Sequence, residues 1–512
     1  MVATTALTGD DLTLEDVWHV AVEGAGAALS DEARDKMRAA RAVVERVAHG
    51  ASEHTYGVNT GFGRFVSRSI PDELTDELQL RLLRSHACGV GDPYPDEIVR
   101  AAMLLRANAL AKGCSGARIE TVELLVDCLN ARIVPFVPSR GSVGASGDLA
   151  PLAHLALPLV GEGEAWLDGK RVPAADALAA AGLTPVRLGA KEGLSLVNGT
   201  QFMAAFGALG LVRALRLAKT ADIACALSLE ALQGSRTSFL PQVHALRPLR
   251  GQCDSAANVI RLLEGSAINE SHRWCDKVQD AYSLRCAAQV HGASRDLLDY
   301  AKTTVAVELN AATDNPLVLV DEGILVSNGN FHGQPLAFAL DALTMAVAEL
   351  ASISERRIER LVNPSLSGGL PAFLTTDGGL NSGFMLPQYV AASLVSENKV
   401  LAHPASVDSI PTSAGQEDHV SMGNAAGLKA WQALANVEWT LAIELLAAAQ
   451  GVEFHAPLEP GVGARAARAF VRTLSPRLED DRPLAGDIDT LAAAIRSGEL
   501  VAAVESEVGE LA

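Results

Sequence analysis

Residues 336–364 read LAFALDALTMAVAELASISERRIERLVNP and carry the clearest periodic pattern in the chain. The apolar residues of this stretch recur at intervals of three and four, the period of one face of an α-helix, at Leu336, Leu340, Leu343, Val347 and Leu350. Proline has no amide hydrogen and disfavours a helical residue before it. We therefore expect one long helix that ends near Asn363-Pro364.

A second alanine-rich segment has the same period, at Leu434, Val437, Leu441 and Leu445. Small side chains on such a helix allow neighbouring helices to approach closely. Strand signals are few, and the best is AWLDGKRV at residues 165–172, whose Asp168-Gly169 pair suits a hairpin turn. The sequence therefore predicts a mainly α protein, a bundle of long helices with minor β-hairpin elements.

The composition and charge of the chain exclude some classes of binding partner. The 512 residues are 49% hydrophobic and 4% aromatic, with 42 basic and 61 acidic residues and a formal net charge of −19. No basic stripe interrupts this acidic balance, so neither a nucleic acid nor an anionic membrane is expected as a partner. The least charged stretch, residues 193–212, contains Ser195, Asn198, Thr200 and Gln201, which argues against a membrane span.

Targeting and redox signals point to the cytoplasm. The chain begins MVATTALTGDDLTLEDVW, with acids where a secretory signal has a basic start. Its seven cysteines form no C-x-x-C pair and are expected to be reduced and mostly buried. The histidines are scattered and no His-Glu-x-x-His motif occurs, so no metal is expected.

The glycine-rich loop GSVGASGD, residues 141–148, carries the clearest chemical signal. It lacks the Lys-Ser/Thr of a phosphate-binding loop, and its Gly-Ala-Ser-Gly spacing is not that of a serine nucleophile elbow. An isolated Ala-Ser-Gly would be interpreted as a flexible turn before the helix-like segment that follows. The residues around this triplet, however, form a longer motif that a flexible turn does not explain.

The longer segment GSVGASGDLAPLAHLAL, residues 141–157, resembles the signature of the ammonia-lyase and aminomutase family that forms 4-methylideneimidazol-5-one (MIO), and further matches extend from residue 56 to residue 422. The resemblance implies the fumarase/aspartase-like ammonia-lyase fold and a homotetramer with shared active sites. It also implies that Ala145, Ser146 and Gly147 cyclise to MIO, with no external cofactor. Glycine tolerates the strained backbone that such a ring closure needs.

The resemblance assigns roles to three single residues. Tyr56, in YGVNTGFG at residues 56–63, matches the family's general base at the β-carbon, and a phenol needs a lowered pKa to act near neutrality. Asn198 matches an asparagine near the MIO carbonyl and the substrate. Phe331, in NGNFHG, matches an active-site phenylalanine.

A second group lies in VQDAYSLR, residues 278–285. Gln279, Tyr282 and Arg285 are three residues apart, which places all three on one face if the segment is helical. By resemblance, Arg285 pairs with the substrate carboxylate, Gln279 hydrogen-bonds near it, and Tyr282 contacts the MIO region. A guanidinium binds a carboxylate through two parallel hydrogen bonds, which lysine cannot do.

Two motifs indicate the substrate. Ser85-His86 resembles the pair in histidine-acting members of the family, although some tyrosine aminomutases also carry it. The segment QEDH at residues 416–419 resembles the histidine-acting form, with Gly415 in place of the usual asparagine. A carboxylate at Glu417 can accept a hydrogen bond from an imidazole N–H.

The resemblance thus implies elimination of ammonia from L-histidine to give trans-urocanate, a carbon–nitrogen lyase reaction. A tyrosine or phenylalanine lyase or aminomutase of the same family, and a catalytically silent helical scaffold, remain the alternatives. We predict two regions: residues 1–197, with the base loop and the triplet, and residues 198–512, a long-helix bundle with carboxylate- and imidazole-binding residues.

Overall fold

The computed structural model describes residues 4–50 and 55–512 and is mainly helical. Its longest helices, each of at least 20 residues, are Asp31–Gly50, Gln201–Ala231, Ala287–Glu308, Gln334–Val362 and Gly423–Glu453. Shorter helices are Leu14–Trp18, Thr75–His86, Asp96–Ala111, Ile119–Asn130, Leu149–Ala156, Ala174–Ala180, Glu192–Val197, Pro241–Ala245, Arg250–Leu262, Ala267–Ser271, Tyr282–Arg285, Met385–Leu401, Val462–Leu474, Ala485–Ser497 and Glu499–Val508. The predicted mainly α class is confirmed.

Both periodic segments form the expected helices. Gln334–Val362 ends directly before Asn363-Pro364, as the proline predicts. The five apolar positions predicted in this helix are at most 1% exposed, and those predicted within Gly423–Glu453 are fully buried. The period of three and four residues therefore marks the faces that form the core.

The β structure is small. Glu164–Leu167 and Lys170–Pro173 form the predicted antiparallel hairpin, with Asp168 and Gly169 both at positive φ in its turn. Val134–Pro135 adds a third strand to that hairpin. The remaining pairs are two-stranded: Thr5–Leu7 with Ala27–Leu29, Val90–Pro93 with Pro138–Arg140, and Leu317–Leu319 with Ile324–Val326.

The chain divides into two compact units, and the division is discontinuous in sequence. The first comprises the described residues of Met1–Val212 together with Ala301–Asp341 and Pro404–Leu428. The second comprises Arg213–Tyr300, Ala342–His403 and Lys429–Ala512. The division predicted between residues 197 and 198 stays a prediction; helix Gln201–Ala231 begins among the residues of the first unit and ends among those of the second.

A buried carboxylate joins three helices within the second unit. Glu444 accepts hydrogen bonds from the hydroxyls of Ser228 and Ser354 at 2.7 and 2.6 Å, and from Nη2 of Arg357 at 2.9 Å. These three donors satisfy a charge that would otherwise be costly to bury. The helices that form this unit's core are thereby fixed in register.

Gln201–Ala231 and Gln334–Val362 are long and apolar enough to span a membrane by length and composition. Their most apolar windows are 83% and 72% buried inside the protein, as expected of core helices. The cysteines differ from expectation: Cys128 and Cys225 alone are buried, three are half-buried and two are exposed, so they are not mostly buried. All seven are free thiols.

Candidate active site

The Ala145-Ser146-Gly147 triplet lies in the loop between strand Pro138–Arg140 and helix Leu149–Ala156. A distant segment fixes this loop: the backbone N–H of Met422 donates to the carbonyl of Val143 at 2.9 Å, and that of Ser421 donates to the carbonyl of Gly144 at 3.4 Å. Ala145 also packs against Val420 and Met422. The triplet is therefore held by main-chain and apolar contacts from residues 420–422.

Close backbone approach makes glycine necessary at position 147. Gly147 has φ +74°, pairs with Gly199 in a β-bridge, and leaves no room for a Cβ, which would overlap the Gly199 carbonyl. The N–H of Asp148 donates to that same carbonyl at 2.7 Å. The left-handed conformation and the steric contact both exclude larger residues.

Asp148, to which the sequence motif assigns no role, is fully buried directly after the triplet. Its carboxylate accepts from the Ser142 hydroxyl at 2.9 Å and from the backbone N–H of Met203 at 3.0 Å. Burial raises the pKa of this carboxyl to about 6, and the hydrogen bonds oppose that rise. Asp148 thus fixes both ends of the triplet loop to the helix that begins at Gln201.

A cavity of about 880 Å³ in the first unit brings together five of the sequence-predicted residues. Those five are Tyr56, His86, Ser146, Asn198 and Glu417. Ala145 and Gly147 flank Ser146 in the loop. Residues separated by as many as 361 positions therefore share one cavity, which has the size of a small-molecule site.

Glu417 occupies this cavity at the end of a tight turn. Its backbone pairs with that of Thr412, and the Thr412 hydroxyl donates to one carboxylate oxygen at 2.6 Å. The Ser146 hydroxyl donates to the other oxygen at 3.2 Å. Gly415 within the turn has φ +82°, a conformation that both glycine and asparagine tolerate, so the departure from asparagine preserves the turn.

The cavity environment acts on two titratable side chains. Burial raises the pKa of the Tyr56 phenol, and the carboxylates of Glu417 and Asp314 raise it further, against a hydrogen bond from the Gly63 N–H. This direction is opposite to the lowered pKa expected of a base, because burial is the largest influence on the phenol. Burial lowers the pKa of His86, whose Nδ1 lies 2.9 Å from the Ser85 hydroxyl, so its imidazole is neutral at pH 7.

Asn198 is held through both its side chain and its main-chain carbonyl. Its side-chain NH₂ donates to the carbonyl of Asn315 at 2.9 Å, and its own carbonyl accepts from Arg106 at 2.8 Å. Its side-chain oxygen is buried and has no hydrogen-bond partner in the described part of the chain. That oxygen is available as an acceptor for a ligand in the cavity.

Four predicted residues lie elsewhere. Phe331 belongs to the first unit but is not among the residues that line the cavity. Gln279, Tyr282 and Arg285 belong to the second unit, where Gln279 and Arg285 line a different cavity of about 470 Å³. The helix covers only Tyr282–Arg285, so the expectation of one helical face fails for Gln279, which precedes it in an irregular segment.

Tyr282 and Arg285 do contact each other. The guanidinium carbon of Arg285 lies 4.6 Å from the centre of the Tyr282 ring, and Arg285 Nε donates to the Asp280 carbonyl at 3.0 Å. Tyr282 is 71% exposed, and its neighbours Trp274 and Val278 are 88% and 96% exposed. This segment of the second unit therefore presents apolar and cationic groups outward.

Sequence reasoning did not identify several residues of the cavity. Asn315 and two arginines, Arg64 and Arg68, line it, and Thr412 binds Glu417. The one available signal was the position of Thr412 within the polar, proline-containing segment 404–416. The arginines follow Tyr56 closely but carry no motif of their own.

Comparison with known proteins assigns the chain to a family. The family model for aromatic amino acid lyases matches residues 12–473, so the chain belongs to that family of carbon–nitrogen lyases. A protein of Gloeobacter violaceus named histidine ammonia-lyase is 56% identical over 505 residues, covering 99% of this chain and 98% of the relative.

Solved structures agree in fold. The crystal structure of histidine ammonia-lyase from Trypanosoma cruzi superposes with a TM-score of 0.92 at 46% identity, covering 99% of this chain and 96% of that one. Tyrosine aminomutase from Streptomyces globisporus superposes with a TM-score of 0.94 at 39% identity over the full length of both chains. The fold is thus shared by family members that bear different names.

Proposed function

We propose that this chain catalyses the elimination of ammonia from L-histidine to give trans-urocanate. The observation that carries the proposal is Glu417, whose carboxylate lies in the same cavity as Tyr56 and accepts a hydrogen bond from Ser146. A carboxylate there can accept a hydrogen bond from an imidazole N–H, whereas a phenyl ring has no such donor. The 56% identity to a full-length histidine ammonia-lyase supports the same substrate.

The residues of the triplet fit the MIO group that the family generally uses. Gly147 has the left-handed backbone and the close contact that a ring through its nitrogen needs, and Ala145 offers a small side chain beside it. MIO formed from Ala145, Ser146 and Gly147 would supply an electrophile, which no standard side chain provides, and would make ammonia a better leaving group. Neither an external cofactor nor a metal is part of this proposal.

Each residue of the cavity has a separate role in binding the substrate or moving a proton. Tyr56 takes the proton from the β-carbon, and Glu417 accepts the N–H of the imidazole ring. His86, neutral because burial lowers its pKa, offers its Nε2 to the substrate, since its Nδ1 is hydrogen-bonded with the Ser85 hydroxyl. Asn198 contributes its free side-chain oxygen, which can accept from the substrate ammonium.

We propose further that Gln279, Tyr282 and Arg285 complete this cavity from a neighbouring copy in a homotetramer, and that the enzyme works in the cytoplasm. The exposure of Tyr282, Trp274 and Val278 supports an interface at this segment, since large exposed apolar groups favour association. Arg285 would bind the substrate carboxylate, and its positive charge would lower the pKa of Tyr56, opposing the effect of burial. Phe331 would pack beside the substrate from the loop before helix Gln334–Val362.

Two measurements test the function. The purified protein is incubated with L-histidine while the ultraviolet absorption of urocanate is followed, and the denatured chain is weighed by intact mass spectrometry. We expect urocanate and a mass lower by two water molecules, with both changes lost in Ser146→Ala, which has no hydroxyl to eliminate. A β-amino acid product, or turnover of tyrosine or phenylalanine alone, would exclude the histidine lyase; an unmodified mass without turnover would indicate a silent scaffold.

A further inference from the structure

Arg106 is a fully buried arginine beside the triplet, on helix Asp96–Ala111. Its Nη1 donates to the carbonyl of Asn198 and to the side-chain oxygen of Gln201, both at 2.8 Å. Its Nε and Nη2 have no hydrogen-bond partner in the described part of the chain. Burial lowers the pKa of this guanidinium to about 10, so it is still charged at pH 7.

Such a charge is costly to the fold. A buried cation without a hydrogen-bonded carboxylate destabilises the folded state unless its remaining contacts compensate. Costs of this kind occur mainly at functional sites, where a local rule is broken for another purpose. The two residues that Arg106 does bind, Asn198 and Gln201, lie on either side of the dipeptide Gly199-Thr200.

Gly199 connects this arginine to the triplet. Its carbonyl accepts the N–H of Asp148 at 2.7 Å, and its backbone pairs with that of Gly147. Arg106 Nη1 also occupies the space that a Cβ of Gly199 would take. The Gly199-Thr200 peptide thus holds the Gly147-Asp148 peptide, and Arg106 holds the Asn198-Gly199 peptide that directly precedes it.

We propose that Arg106 is a positioning residue for closure of the triplet into a ring. By holding the Asn198 carbonyl, it presses the Gly199 backbone against Gly147 and keeps the Gly147 nitrogen close to the Ala145 carbonyl carbon. This inference rests on the proposed MIO chemistry and extends it to a residue outside the cavity. This role also explains why Arg106 binds the main-chain carbonyl of Asn198 and leaves its side-chain oxygen without a partner in the described part of the chain.

The step that Arg106 promotes is balanced within the chain. The Gly147 nitrogen bonds to the Ala145 carbonyl carbon, and the carbonyl oxygen leaves as water with the amide protons of Gly147 and Ser146. Ser146 then loses its hydroxyl and its α-proton as a second water. No oxidant or reductant is needed. Because both reacting groups belong to the same loop, the rate of closure depends on how closely the backbone holds them together.

The test compares Arg106→Gln and Arg106→Lys with the same changes at Arg100. Arg100 lies on the same helix, is buried, and donates to main-chain carbonyls of Val20 at 2.7 Å and Ala21 at 3.0 Å, away from the triplet. Intact mass gives the share of chains that have lost two waters at successive times after a short pulse of expression. Thermal unfolding followed by circular dichroism gives the effect on the fold.

We expect water loss about 10- to 100-fold slower in Arg106→Gln, the effect of losing a charge-assisted hydrogen bond. Arg106→Lys should lie between it and the wild type, because lysine keeps the charge and loses the fork. Both Arg100 variants should lose water at the wild-type rate even where their melting temperatures fall.

Water loss in Arg106→Gln as fast as in Arg100→Gln would overturn the proposal. Should Arg106→Gln not fold, Arg106→Lys decides in the same way against Arg100→Lys. A wild-type chain of unmodified mass would instead contradict the proposed function, which keeps the two failures distinct.

Discussion

The Ser146 hydroxyl donates a hydrogen bond to Glu417 across 3.2 Å, although the two residues are 271 positions apart in the chain. One belongs to the motif that identifies the family and the other to the motif that indicates the substrate. Their contact places the two motifs in one cavity. The Thr412 hydroxyl donates to the second oxygen of Glu417, so the carboxylate faces Ser146. The charge of Glu417 should therefore decide substrate choice.

Glu417→Gln keeps the volume of the side chain and removes its charge, so an imidazole donor loses its best acceptor. We expect kcat/KM for histidine to fall by about 100-fold, the effect of a lost hydrogen bond to a charged group. Any trace activity towards phenylalanine, which has no ring N–H, should fall less. Asp418→Asn, an exposed acid in the same loop, is the control and should keep the wild-type ratio. Equal losses for both substrates would make Glu417 a structural residue of its turn.

Tyr56→Phe removes one hydroxyl and keeps the ring. We expect kcat to fall by about 10²- to 10⁴-fold, the usual contribution of a general base, with an unchanged circular dichroism spectrum. Burial raises the pKa of Tyr56, so the ionised base is scarce at neutral pH and wild-type kcat/KM should rise with pH above 7. Tyr389→Phe, at an exposed tyrosine, should keep that rise, whereas Tyr56→Phe should lose it. A wild-type rate in Tyr56→Phe would remove this residue from the base role.

Sharing of sites between copies can be tested by complementation. Tyr56→Phe and Arg285→Ala should each be nearly inactive alone, because one lacks the base and the other lacks the carboxylate-binding fork. If the chain forms the proposed homotetramer and the two residues come from different copies, co-expression of equal amounts of both variants should give about a quarter of sites with both residues intact. Activity of the purified mixed tetramers measures this. Mixtures no more active than the parents would show that each copy supplies both residues to its own site.

Asp148 predicts a dependence of stability on pH. Its folded-state pKa of about 6 lies above its ordinary value of 3.8, so its contribution to the free energy of unfolding is complete below about pH 4 and is lost as the pH rises through 6. Asp148→Asn cannot ionise. The wild type should therefore lose on the order of 3 kcal/mol relative to this variant between pH 4 and pH 7, about two pKa units of linkage.

Urea unfolding at pH 4, 5, 6 and 7 measures this difference. Asp176→Asn, at an exposed carboxylate, is the control and should follow the wild type across the range. If the wild type and Asp148→Asn give parallel curves, the carboxyl of Asp148 ionises in the folded state as it does in the unfolded chain, and burial does not set its pKa.

The sequence predicted the local conformations well. The helix Gln334–Val362 and its end at Asn363-Pro364 follow from apolar period and from proline, and the hairpin follows from Asp168-Gly169. The sequence also predicted a strained backbone at Gly147 that glycine tolerates, and its φ is +74°. These features depend on residues within a turn or two of one another, and a chain carries that information continuously.

Relationships between distant segments required the tertiary structure. Each of the two compact units is built from segments that are not consecutive in the sequence, an arrangement that local patterns do not reveal. The spacing of Gln279, Tyr282 and Arg285 suggested one helical face, yet the helix covers only the last four residues of that segment. Propensity alone does not fix where a short helix begins, because packing against the rest of the unit decides it.

By itself, then, the sequence determined the helical class, the hairpin, the triplet and the residue types of the site, because backbone propensity and side-chain chemistry are properties of single residues and their neighbours. The tertiary structure alone decided that Ser146 contacts Glu417, that Arg106 holds the peptide beside Gly147, and that the pKa of Asp148 is about 6. Each of these depends on burial and on distances between segments far apart in the chain, which only the packed fold sets.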